Sequence, residues 1–361
     1  MRPPLLLIPG PVPIHPRVLE EMAKPAVPHY GPQWVKAYED VLRLLKYVWV
    51  APKARVFPFL GPGHAGIESL VHTFFRRGDR AVILENGFFG DRLREVVAAH
   101  RLKADVVRSP WGKGHNLSGL RNALKRPAKA VLVVHNETST GVTNPLEPII
   151  EEAHAKDAFV LVDAVSSLGG IPLPFQALGL DAAFSASQKC LASPAGIAPV
   201  AVAPSLWDSV KPDRVEGWYF NLLTWERYER EWGGWHPSPT TISSNLFYAV
   251  RKALQLVKEE GLEKRFARHA AMARRLRAGL EKLGFRSLAP DPLASNTVTC
   301  ARPPRGSDAG TIIGRLREEH NIYVSGGLGP LEGKILRIGT MGTQADPEVI
   351  DDFLDVLGKL T

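Results

Sequence analysis

The chain has 361 residues, of which 45% are hydrophobic and 23% charged, with a formal net charge of +8. Those proportions are ordinary for a packed globular protein of about two domains, and a chain this long buries enough surface to need neither disulfides nor a structural metal. Lys and Arg are interspersed with Asp and Glu, so the positive surplus favours anionic small ligands and leaves no stripe for nucleic acid.

The first 30 residues carry eight prolines and read as an extended arm rather than a core element. Their one apolar run, Leu5 to Ile8, is too short for a signal peptide, and no run approaches the ~20 apolar residues of a membrane span. The two cysteines, Cys190 and Cys300, form no CxxC and no Cys/His cluster, which fits a reducing cytoplasm and argues against zinc. From about residue 54 short apolar runs alternate with helical patterns. "RVFPFL", "RAVIL", "ADVV", "KAVLVVHN", "AFVLVDAV" and "DAAFSAS" read as strands, and 65–77, 91–101, 117–125 and 146–156 as helices. That alternation predicts an α/β fold with a mostly parallel sheet covered on both faces. Residues 205–240 interrupt it with Trp, Arg and Glu; Trp218, Trp225, Trp232 and Trp235 are expected either over the site or at a subunit contact. A long helix follows, with Leu246, Phe247, Val250, Leu254 and Val257 on one face and a break expected at Gly261. The last hundred residues alternate strand "NTVTCAR", helix 309–320, strand "KILRIG" and helix 347–360, an α+β pattern suited to a smaller second domain. The expected division is an arm over 1–20, a large domain over 21–258 and a small domain over 259–361.

Ligands in open α/β sheets sit at the carboxyl ends of the strands. Three such ends carry chemistry. "LGPGHAGIESL" is a strand, a Gly-rich turn and a helix start, where backbone N–H groups bind anions. Asp163 ends a strongly apolar strand, where a carboxylate needs a cation or a donor. Lys189 ends the next strand, with no acidic neighbour in "AFSASQKCLASP". A lysine in dry surroundings loses its proton more easily, and the neutral amine is a nucleophile towards carbonyls. An anion cradle, a carboxylate and a lone lysine are the set that pyridoxal 5′-phosphate requires for its phosphate, its pyridine nitrogen and its aldehyde.

"GPGHAGIESL", "NGFFGDR", "HNETSTGVTNPL", "LVDAVSSLGGIPL", "SASQKCLASPAG" and "GGLGPLEGKILRIG" occur in that order. Together they resemble the alanine–glyoxylate and serine–pyruvate aminotransferases of class V, within the fold-type I pyridoxal-phosphate enzymes, over nearly the whole chain. The resemblance implies a large domain with a mixed, mostly parallel seven-stranded sheet, a smaller C-terminal domain, and a homodimer with sites at the subunit interface. It implies Lys189 as the Schiff-base lysine, Asp163 as partner of the pyridine nitrogen, Val165 under the ring and Phe89 stacked over it, with Phe88 the competitor for that role. Gly63 and His64 match the phosphate turn, and Thr138 and Gln188 match polar contacts to the ring hydroxyl and the phosphate region. Arg337 matches the arginine that pairs with the substrate carboxylate, a task suited to its planar fork. Gly10 lies in the arm segment that approaches the substrate, and Thr241 matches a threonine that reaches the neighbouring subunit's phosphate. Pro62 departs from the Ser or Thr usual before the turn glycine, and it offers neither hydroxyl nor N–H.

The expected reaction passes the amino group of alanine, serine or aspartate to a 2-oxo acid such as glyoxylate or pyruvate. The alternative with the same cofactor is a lyase such as a cysteine desulfurase, which needs a mobile cysteine. Gln188 stands where those enzymes commonly have His, and Cys300 falls in a strand. A cofactor-free binding protein on the same fold would have had no reason to keep Asp163, Lys189 and Arg337 together.

Overall fold

The structure is a computed structural model that describes residues 4–360. Its centre is a seven-stranded sheet. In chain order the strands are β1 (Arg55–Leu60), β2 (Arg80–Glu85), β3 (Lys103–Arg108), β4 (Ala130–Val134), β5 (Phe159–Asp163), β6 (Ala182–Phe184) and β7 (Ile197–Val202). Their order across the sheet is β1-β7-β6-β5-β4-β2-β3. All pairs from β6 to β3 are parallel; β7 runs antiparallel to both its neighbours. Strands β4, β6 and β7 are buried along their whole length, because helices pack on the sheet and leave no wet face for polar alternation.

Strand β7, "IAPVAV", is the element that the sequence pattern did not predict. Proline demotes a run because it cannot donate to a ladder. Here Pro199 lies directly opposite Pro58 of β1. The Pro199 carbonyl accepts from Ser185 N at 2.8 Å, on the β6 side. The two prolines therefore meet at a position of the antiparallel ladder where facing residues exchange no hydrogen bonds, and neither missing N–H interrupts their shared ladder.

The main apolar core surrounds this sheet and includes the helices Pro32–Val48, Gly63–Phe74 and Ser244–Glu260. The last of these ends at Gly261, whose φ of 81° turns the chain into the helix Leu262–Lys282. Leu276 and Leu280 of that helix belong to a second core, with Ile312, Leu316, Ile350 and Phe353. That core packs against a four-stranded antiparallel sheet of order 286–287, 298–302, 336–339, 325–326.

The N-terminal segment is more embedded than its prolines imply. Leu5–Leu6 pairs in parallel with Ile322–Tyr323, and Leu7 is fully buried in the second core. Gly339 N donates to the Leu7 carbonyl at 2.6 Å, and Val12 N donates to the Gln188 carbonyl at 3.1 Å. The helix Pro16–Met22 then buries Val18 against Ala249 and Ala253. The segment thus touches the second core, the Lys189 loop and a helix of the main core in turn.

Phe247 is fully buried, 4.8 Å from Trp34 and 5.6 Å from Tyr38 between ring centroids. Phe247→Ala removes this keystone of three aromatics. The expected loss is about 3–5 kcal/mol, read as a lower denaturant midpoint of the main-core transition.

Candidate active site

Parallel pairing sets the site. Asp163, the last residue of β5, lies in register with Phe184, the last of β6. The chain leaving β6 passes through Ser187, whose hydroxyl donates to the Pro194 carbonyl, and reaches Gln188 and Lys189. The loop is closed tightly: Ala192 N donates to the Lys189 carbonyl at 2.8 Å, and Cys190 Sγ donates to the Ser166 carbonyl at 3.3 Å. Arg265, buried in the helix Leu262–Lys282, donates to the carbonyls of Gly169 and Cys190. The lysine loop is thereby tied to the helix that enters the second core.

A cavity of about 190 Å³ opens at these strand ends. Asp163, Val165, Gln188, Lys189, Gly63, His64 and Phe89 all line it. Seven of the residues expected at the site therefore surround one space. Phe89, not Phe88, lines it; Phe88 instead stacks under Arg92, 5.3 Å from ring centroid to guanidinium carbon.

Burial dominates the electrostatics. It pushes the Lys189 ammonium down to about 8, helped by the positive charge of Arg337 and opposed by Asp163. It pushes the Asp163 carboxyl up to about 7, against the stabilising donation of Val165 N to Asp163 Oδ1 at 2.8 Å. Lys189 Nζ donates to the Pro9 carbonyl, so the arm supplies the partner that the local sequence lacks. The next residue, Gly10, has φ +89°, and a Cβ there would lie 2.6 Å from Lys189 Nζ. Only glycine fits so close to the amine.

Arg337 lies in the strand Leu336–Gly339, outside the walls of this cavity. Its Nε donates to the Gly326 carbonyl at 2.6 Å, and Nη1 reaches the Thr138 carbonyl at 3.5 Å. Thr138 is buried beside it, also outside the cavity walls. Thr241 is exposed and does not line the cavity. Of the four tryptophans, Trp225 is core and donates to the Tyr219 carbonyl, whereas Trp218, Trp232 and Trp235 are exposed. Cys300 is fixed in a strand opposite Arg337, and burial pushes its thiol up to about 12. Cys190 is equally buried, so neither thiol is a mobile nucleophile.

Two residues at the site escaped the sequence reading. Glu137 is fully buried and accepts from the N–H groups of Phe89, Gly90 and Ser139 and from the Ser139 hydroxyl, at 2.6–3.1 Å. It fixes the first turn of the helix Phe88–Ala99 that carries Phe89. Arg92, one turn further on, lines the cavity and depresses the His64 imidazole, after burial the second cause. Glu137 stands inside "HNETSTG", but only the fold shows that it turns towards "NGFFG".

The space suits a flat ring with an anionic tail. Asp163 and Lys189 line the same cavity. Gln188 Oε1 is buried without any partner, a polar atom that awaits a donor. The helix Gly63–Phe74 starts at the cavity with no side-chain cap; Ala65 N donates to the Pro62 carbonyl at 2.8 Å, which leaves the N–H groups of Gly63 and His64 to an anion.

The family model "Aminotransferase class-V" matches residues 19–335. The chain belongs to the class-V aminotransferase family. An uncharacterized aminotransferase of Methanocaldococcus jannaschii is 38% identical over 349 residues, 96% of this chain and 90% of that one. The (S)-ureidoglycine–glyoxylate transaminase of Bacillus subtilis is 31% identical over 93% of this chain and 85% of its own. The crystal structure of an alanine–glyoxylate aminotransferase from Nostoc superposes with a TM-score of 0.94 at 33% identity, covering 100% of this chain and 96% of that one. The fold is therefore that of the fold-type I pyridoxal-phosphate transferases, and the protein is an aminotransferase. Among the described residues no helix is long and apolar enough to cross a membrane.

The raised Asp163 carboxyl gives a test without any ligand. Between its ordinary 3.8 and about 7, the folded protein holds a proton that the unfolded chain has released. Stability of the ligand-free protein should therefore fall as pH rises through that window. Asp163→Asn removes this contribution. Denaturant midpoints of the two proteins should converge towards high acidity and separate, in favour of the variant, as pH approaches 7; parallel profiles would show an ordinary carboxylate.

Proposed function

We propose that the protein moves the amino group of a small L-amino acid to a 2-oxo acid, with pyridoxal 5′-phosphate bound in the cavity at the ends of β5 and β6. The observation that carries this reading is the meeting of Lys189, Asp163 and the unpartnered Gln188 around one space. When bound, pyridoxal phosphate supplies a carbonyl for amine exchange and a ring that withdraws electrons from the substrate carbon.

The chain's own residues divide the remaining work. Asp163 holds the ring nitrogen, and burial with the opposing wall keeps that pair dry. Val165 and Phe89 bear on the two ring faces, with Glu137 holding the turn on which Phe89 stands. Gly63 N, His64, Arg92 and the side-chain N–H of Gln188 would receive the phosphate, which would make up for the hydroxyl that Pro62 lacks; Gln188 Oε1 would be left to accept from a donor, and Thr138, behind the cavity wall, would serve the ring hydroxyl. Lys189 takes and returns a proton at Nζ; its depressed basicity leaves a larger neutral fraction near neutral pH. Arg337 pairs with the substrate carboxylate, and Gly10 lets the arm close over the amine.

Glyoxylate is the preferred acceptor, because both the Bacillus subtilis transaminase and the Nostoc aminotransferase are named for it. Pyruvate is a second acceptor of the same class. Alanine, serine and aspartate are the donors to compare. We further propose a cytoplasmic homodimer in which Thr241 serves the neighbouring subunit's phosphate, a role its exposure supports. The division into an arm (1–20), a large domain (21–258) and a small domain (259–361) is supported by the two separate cores. The lyase reading is weaker, since both cysteines are buried.

The direct test is a single-turnover half-reaction. Protein reconstituted with pyridoxal phosphate is mixed separately with L-alanine, L-serine and L-aspartate, and the oxo acid formed is quantified. One oxo acid per site from at least one donor is expected; ammonia without bound amine would overturn transamination in favour of a lyase. Lys189→Ala should lower kcat by about 10²–10⁴-fold, the range for a positioned proton-transfer group. Arg337→Ala should lower kcat/KM for donor and acceptor alike by roughly 10–100-fold, from the loss of a charge-assisted pair, with Arg337→Lys recovering part of it.

A further inference from the structure

The two helices that frame the cavity meet again at their far ends. The helix Gly63–Phe74 carries Glu68 and His72 on one face, four residues apart. The helix Phe88–Ala99 ends at His100. The ligand atoms of Glu68, His72 and His100 all lie within 4.8 Å of one another. His100 Nε2 is already in contact with Glu68 Oε2, and the His72 and His100 rings stand edge to face with centroids 4.7 Å apart. His72 is held in turn by stacking on Phe220 at 5.6 Å. All three groups are half-buried, so they are oriented by their surroundings and still reachable from solvent.

We infer that Glu68, His72 and His100 form a binding site for a divalent transition-metal ion of the zinc class. Two imidazoles and one carboxylate are a donor set that zinc takes, with a fourth position left for water or a ligand. Tetrahedral coordination with bonds of about 2.0–2.1 Å places donor atoms roughly 3.4 Å apart. The widest pair here must close and the Glu68–His100 pair must open, which side-chain rotation of the three half-buried groups provides. His72 and His100 also line a separate cleft of about 390 Å³, together with Glu216, through which a fourth ligand could reach the ion. Glu216 adds negative charge near His72. Arg76, Arg77 and Arg101 also stand in that wall; Arg76 Nη1 donates to the carbonyls of Thr73 and Phe75, which points that group of its guanidinium at the backbone rather than at the three ligands.

The ion would join two helices whose opposite ends carry the cavity walls. His72 lies nine residues beyond Gly63, about 13 Å along the helix axis at 1.5 Å per residue. Phe89 stands in the first turn of the partner helix, and His100 at its end. The three ligands do not line the Lys189 cavity, although Ile67 beside Glu68 does and Glu68 acts electrostatically on His64; the ion's role is to clamp the frame rather than to enter the reaction.

The test uses tag-free full-length protein, stripped with chelator and titrated calorimetrically with zinc chloride alone, then with cobalt chloride while visible absorption is followed. One ion per chain is expected, with intense cobalt bands characteristic of four-coordinate geometry and a higher melting temperature in zinc. His72→Ala and His100→Ala should each weaken binding at least about tenfold. Glu68→Gln keeps the shape of the His100 contact while removing the charge, so it should fold normally and still lose the zinc-dependent rise in melting temperature. No binding by the wild-type protein, or equal binding by well-folded Glu68→Gln and His100→Ala, would overturn the site. Because the readouts are heat, cobalt absorption and melting temperature, the result is independent of whether the transaminase reading holds.

Discussion

The site depends on keeping an amine dry. Lys189 could sit on a hydrated surface at no cost, yet it stands in a cavity with Asp163, and burial moves the two groups towards each other's titration range. The means of enclosure come from distant parts of the chain. The Pro9 carbonyl caps the ammonium, Gly10 closes above it, and Arg265 ties its loop to the helix that leads into the second core. Each contact spans a large sequence separation, so the environment of the lysine exists only when the N-terminal segment, the main sheet and the second core are all assembled.

The arm carries this coupling. Leu7 is anchored in the second core, Val12 bonds to the lysine loop and Val18 packs on a helix of the main core. A shift of the second core relative to the sheet would pull directly on the segment that caps Lys189. Arg337 sits in the sheet that packs on the second core, and its positive charge depresses the lysine from there. Under the proposed function, a substrate carboxylate that neutralised Arg337 would weaken that depression and so link carboxylate binding to amine basicity.

Much of this was legible in the sequence, and the gaps have specific causes. Six strands were readable because each holds a short apolar run bounded by helical patterns, continuous in the buried central strands, and Asp163 and Lys189 stood out as charges at strand ends. The seventh, β7, was hidden by Pro199, since the pairing of one proline against another is a property of register. The helix Phe88–Ala99 starts three residues earlier than its pattern predicted, because its first turn is held by Glu137, across the fold. Glu137, Arg92 and Arg265 were missed for the same reason: each acts on a segment far from it in sequence. The resemblance to class V carried the choice of Phe89 over Phe88, which periodicity alone left open.

The facing prolines have one more effect. With Pro199 directed towards β6, the Pro58 backbone is directed outward from β1, the last strand of the sheet. Leu60, two residues on, points its carbonyl the same way, and the Tyr219 hydroxyl occupies it at 2.6 Å. A strand from another molecule approaching this border would meet one position with no donor and another with its acceptor already taken. The border is thereby protected against uncontrolled strand addition and the fibrous assembly that follows from it.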